Sequence, residues 1–170
     1  MPKTTTTTRS QSLYASRIDL SEDTRIELVG ITNQQLADTI DLYLQTKQAH
    51  WNVKGAQFYA LHKFFDDLAE SVEEYIDELG ERVTALGGVA LGTARMAAEF
   101  TTLEEFDTDI VAGEACVDAL IARYAAYAAS TRVAIERSSE LGDPTSEDLF
   151  TEISRVIDKN LYFLESHVQN

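Results

Sequence analysis

The chain has 170 residues, 29 of them acidic against 14 basic, for a formal charge of −15 at pH 7. That length suits one domain with a sizeable core, and so acidic a body repels nucleic acid and attracts cations. The polar start Met1–Ser12 has no signal-peptide core, nothing resembles a membrane span, and the single Cys116 suits a reducing compartment, so a cytoplasmic protein is expected.

Residues 1–20 read as a flexible tail. They contain the threonine run Thr4–Thr8, and Lys3, Arg9 and Arg17 against Asp19 give a local +2, so the rest carries −17 to reach −15. Ser21 before Glu22 and Asp23 is an N-cap with acids in the first turn. From there Ile26, Val29, Ile31, Leu36, Ile40, Tyr43, Leu44 and Trp51 recur at helical spacing up to Gly55. A second helix is predicted from Phe58 to Leu86, stopped by Gly87–Gly88. A long connection follows to about Asp107, with a short helix near Thr93–Glu99. A third helix runs from Asp109 to Leu141, and Pro144 opens a fourth that extends to about Val168. Residues 21–170 thus form one all-α domain, a ferritin-like four-helix bundle with a long crossover between its second and third helices.

The second helix carries two pairs of metal-ligand residue types, His62 with Asp66 and Asp77 with Glu81. Each pair is spaced i, i+4 and shares a face. The pairs are separated by roughly 22 Å along the axis at about 1.5 Å per residue. Fifteen steps of about 100° turn the helix by only about 60° net, so both pairs lie on one broad face. One ion cannot span them within a chain, but an antiparallel copy across a twofold axis would bring each pair to the other. His50 and His62 stand six positions either side of Ala56 in the turn, so a hairpin sets them side by side. Two imidazoles with several carboxylates suit Fe(II), with Zn(II) a competitor. For either pair taken alone, a solvated acidic face is the usual reading. The conjunction is more telling, because His62, Asp66, Glu70, Glu73, Asp77 and Glu81 form a continuous stripe. A di-iron centre inside one bundle would require Glu-x-x-His motifs, yet Lys47, Tyr59 and Leu164 precede His50, His62 and His167 by three.

The run Lys47-Gln48-Ala49-His50-Trp51-Asn52-Val53-Lys54-Gly55 resembles the signature of the Dps family, the mini-ferritins. So do His62 through Arg82, the segment Leu86–Thr93, and Ser154–Leu161 in the last helix. The resemblance implies a hollow homo-dodecamer with ferroxidase sites at dimer interfaces, where Fe(II) is oxidised, preferably by hydrogen peroxide, and stored as ferric mineral. Two ferrous ions would supply the two electrons that reduce peroxide to water, limiting hydroxyl radical and oxidative stress. The family's ligands fall on His50, His62, Asp66, Asp77 and Glu81. Trp51 matches the aromatic neighbour that quenches stray oxidising equivalents, and core packing is its other reading. The threefold pores that admit iron would be lined by Asp143, Glu147 and Asp148, although acids at a helix N-terminus after Pro144 have the same appearance.

Some family members bind DNA through lysine-rich tails, whereas this tail is only weakly basic, so DNA contact and nucleoid association would be weak and salt-sensitive. Two further readings stay open: a nucleoid-compacting protein with secondary iron chemistry, and a zinc-occupied shell with weak ferroxidase activity.

Overall fold

The computed structural model describes residues 13–169, so Lys3, Arg9 and the Thr4–Thr8 run lie outside the described residues. Five helices follow in order: α1 (Glu22–Asn52), α2 (Phe58–Ala85), α3 (Ala94–Phe100), α4 (Gly113–Glu140) and α5 (Pro144–Glu165). The long helices α1, α2, α4 and α5 make a four-helix bundle in which α1 packs chiefly on α2 and α4 chiefly on α5. No described helix is long and apolar enough to cross a membrane.

Local chemistry sets most boundaries. Ser21 caps α1 by accepting a hydrogen bond from the Thr24 amide at 3.1 Å. Gly55, at φ 117°, takes the left-handed turn that reverses the chain into α2. Gly87, at φ 90°, ends α2, and a Cβ there would meet the Tyr14 carbonyl oxygen at 2.5 Å. That closeness reflects docking of the segment before α1. The Tyr14 amide donates to the Gly87 carbonyl at 2.8 Å, and Leu13 and Leu20 pack on Leu28, Val29, Val83 and Leu86. Residues 13–20, grouped with the tail by composition, therefore lie against the bundle.

The crossover is held by buried polar side chains of α1 and α4. Asp38, fully buried, accepts from the Thr102 amide at 2.6 Å and from the hydroxyls of Thr101 and Thr102. Arg123 donates to the carbonyls of Glu104 at 3.2 Å and Glu105 at 2.7 Å. The crossover then pairs with the hairpin turn, the Lys54 amide donating to the Val111 carbonyl at 2.7 Å. That pairing delays α4, which begins at Gly113 rather than the expected Asp109. Likewise α5 ends at Glu165, short of the expected Val168.

Among the described residues, the bundle interior pairs its buried polar groups with one another. Its midline is occupied by hydroxyl pairs, Thr39 with Tyr127 at 2.5 Å and Thr46 with Tyr124 at 3.2 Å, and Thr131 donates to Gln35 at 3.0 Å. Burial pushes both tyrosine phenols well above their ordinary range, so they stay neutral. These groups need one another rather than an ion.

Candidate metal centre

The α1–α2 hairpin places His50 and His62 in a reciprocal lock. His50 Nδ1 donates to the His62 carbonyl at 2.7 Å, and His62 Nδ1 donates to the His50 carbonyl at 2.8 Å. A carbonyl only accepts, so each Nδ1 carries a proton, and in the neutral imidazole it is Nε2 that keeps the lone pair. The rings stack with centroids 3.8 Å apart and planes 20° from parallel. Both imidazoles are thus oriented, and their tautomers chosen, by backbone partners, as metal-ligating histidines require.

Asp66 stands one turn beyond His62. Its Oδ1 accepts a charged hydrogen bond from Lys47 Nζ at 2.6 Å and lies 3.8 Å from His50 Nδ1, while Lys63 approaches Oδ2 at 4.0 Å. The Lys47 hydrogen bond, helped by the Lys47 and Lys63 charges, holds the Asp66 carboxyl below its ordinary value. Asp66 in turn raises the Lys47 ammonium.

Asp77 and Glu81 are exposed on the distal half of α2 and belong to a different environment. Around them Glu74 and Glu78 continue the acidic surface and Glu152 joins from α5. Partial burial, then the charges of Glu152, Glu74, Asp77 and Glu81, push the Glu78 carboxyl up. Tyr75, on the same turn, is pushed up to about 12, by burial first and then by Glu152, Glu78 and Glu74. Such a surface gains by taking up cations. The structure therefore brings His50, His62 and Asp66 together and leaves Asp77 and Glu81 apart from them. Among the described residues, no group of three or more His, Cys, Asp or Glu side chains converges as a metal cage within one subunit.

Three further residues change meaning. Trp51 is 59% exposed, so core packing within the subunit is not its role. It shares that end of the hairpin with exposed Phe58 and Tyr59, and the Phe58 ring lies 5.2 Å from that of His62. Asp143 is 3% exposed, ion-paired to Arg82, and caps α5 by accepting from the Thr145 amide. Burial alone would raise its carboxyl, but hydrogen bonds from Ser146 and Arg82 together hold it below the usual range. Asp143 is thus a structural cap rather than a free pore acid, whereas Glu147 is half-buried and Asp148 exposed. Lys47 is not a metal-ligand residue type, so ligand spacing does not single it out, although its place three residues before His50 puts it on the same helical face.

Residues 30–170 match the model of the ferritin-like domain. The chain is 45% identical over 156 residues to the DNA protection during starvation protein of Agrobacterium fabrum, covering 92% of this chain and 96% of that one. The chain belongs to the Dps family. In structure, this Dps chain is similar to DpsC from Streptomyces coelicolor, with TM-score 0.89 and 31% identity over 94% of this chain and 93% of that one. The Dps homologue of the archaeon Halobacterium salinarum gives TM-score 0.89 at 28% identity, covering 99% and 93% of the two chains.

Proposed function

We propose that this Dps chain is a ferroxidase and iron-storage protein of the cytoplasm, working as a hollow homo-oligomer whose sites lie between subunits. The observation that carries the reading is the reciprocal histidine lock, which commits each Nδ1 to a backbone carbonyl and so leaves each Nε2 as the nitrogen for a metal, with Asp66 one turn beyond His62. Asp77 and Glu81 of a twofold-related copy complete the set. Fe(II) is the substrate: the imidazoles and carboxylates bind and orient two ferrous ions, and hydrogen peroxide takes one electron from each. Two protons join the peroxide oxygens to give two waters, and the ferric product is stored within the shell. The exposed trio Trp51, Phe58 and Tyr59 supplies apolar surface for the subunit contact, which places Trp51 beside the iron as a quencher of stray oxidising equivalents.

The test is anaerobic Fe(II) oxidation by stoichiometric hydrogen peroxide, followed by absorbance, with His50→Ala/His62→Ala alongside. Fast oxidation with soluble ferric product, lost in the double variant, supports the reading. Oxidation no faster than that of free iron would overturn it. Two imidazoles with carboxylates also fit Zn(II), so zinc added first should slow the reaction.

A further inference from the structure

Lys47 is the closest cation to any ligand of the proposed centre, with its Nζ 2.6 Å from Asp66 Oδ1. The pair is shielded, with side-chain exposures of 20% and 25%, where the surface pair Arg132–Asp158 stands at 53% and 46%. His50 does not compete for Asp66, because its Nδ1 proton is already given to the His62 carbonyl. The carboxylate oxygen beside the histidine pair thus has one partner, an ammonium.

We propose that Lys47 is a positioning and specificity-determining residue, a resident cation that holds Asp66 in place and that an incoming metal ion must displace. This rests on the reading of His50, His62 and Asp66 as a metal site. The chemistry follows from which lone pairs each cation can use. An ammonium engages the carboxylate but offers no empty orbital to an imidazole nitrogen. Mg(II) and Ca(II) prefer oxygen ligands, so against Lys47 they compete for Asp66 alone and gain little from the histidines. Fe(II), Co(II) and Zn(II) bind the carboxylate and both imidazoles, and the added nitrogen bonds outweigh the lost ion pair. Lys47 therefore raises the threshold for abundant hard cations more than for first-row transition metals. Glu70, one turn further along α2, adds to the negative field that holds the Lys47 ammonium.

The experiment is calorimetric titration of the metal-free, full-length assembly with Co(II), with and without excess Mg(II). Wild type is compared with Lys47→Met, Lys47→Gln, Lys47→Arg and His50→Ala/His62→Ala; the Met and Gln variants guard against one failing to fold. Neutral residue 47 should tighten Co(II) about fivefold in magnesium-free buffer, the worth of a partly exposed ion pair. Added Mg(II) should erase that gain while leaving wild type nearly unchanged, and Lys47→Arg should behave as wild type. Equal affinities and equal magnesium sensitivity in wild type, Lys47→Met and Lys47→Gln would overturn the role of Lys47. If that occurs while the double histidine variant loses Co(II), the metal site stands and only the Lys47 proposal falls. Undiminished Co(II) binding in the histidine variant would overturn both.

Discussion

The two ends of α2 carry ligands of the same proposed reaction and are built in opposite ways. At the N-terminal end, His62 is locked to His50 by two backbone-directed hydrogen bonds and Asp66 is held by Lys47. At the C-terminal end, Asp77 and Glu81 are exposed and stand among like charges that push Glu78 up. One end is organised before metal arrives and determines nitrogen geometry. The other is an acidic surface whose repulsion falls when a cation settles on it. A site assembled from one end of each kind would pair a rigid half with an adaptable, charge-neutralising half. Neither end suffices alone.

The largest expected effect comes from disabling the adaptable end. Asp77→Asn/Glu81→Gln should abolish peroxide-driven Fe(II) oxidation above the free-iron rate, although the histidine lock is untouched; retained fast oxidation would remove those carboxylates from the site. Next is the anchor of that end. Arg82 follows Glu81 and ties α2 to Asp143 at the start of α5. Because that pair is largely buried, Arg82→Met should cost about 3 kcal/mol, read as a shift in the denaturant midpoint. The pH dependence has a definite sign. Asp143 has a lowered carboxyl in the folded chain, so its stabilisation is full above the unfolded carboxylate range near pH 4 and is lost as pH falls through the folded value. Arg82→Met should therefore lose less stability than wild type on acidification below about pH 4.

A smaller effect discriminates more sharply. Co-assembling equal amounts of His50→Ala/His62→Ala and Asp77→Asn/Glu81→Gln subunits should restore about one quarter of wild-type oxidation, since random twofold pairing makes half the dimers mixed and each mixed dimer has one intact site. Separate populations should remain inactive. No recovery after verified mixing would show that the ligands act within one subunit. The smallest effect belongs to Trp51→Ala. It should weaken association of subunits by about 1–2 kcal/mol, visible in sedimentation as dissociation that sets in at higher protein concentration than in wild type, and leave the helical content unchanged.

Much of the fold was legible. Ser21, Gly55, Gly87 and Pro144 mark helix ends because caps and left-handed turns are local chemistry. The start of α4 was not legible from local signals, because the Gly113 amide donates to the Lys54 carbonyl across the fold and a Cβ at Gly113 would clash with Leu61. The periodic apolar list in α1 also mixed two classes. Val29 and Leu36 are core, whereas Ile26, Leu44 and Trp51 are exposed on the subunit. Periodicity identifies an apolar face but does not say whether its partner is another helix of the same chain.

What the sequence by itself determined is the set of relations along one helix: the i, i+4 ligand pairs, their shared face and their separation on α2. Helical rise and twist impose these whatever surrounds the helix. Side-by-side placement of His50 and His62 also followed from equal distances to the turn. Only the tertiary structure decided which ring nitrogen each histidine commits to the backbone, that Asp66 is held by Lys47, and that Asp143 is buried against Arg82. Those choices depend on which donors and acceptors packing brings within about 3 Å, a matter of contacts between segments far apart in the chain.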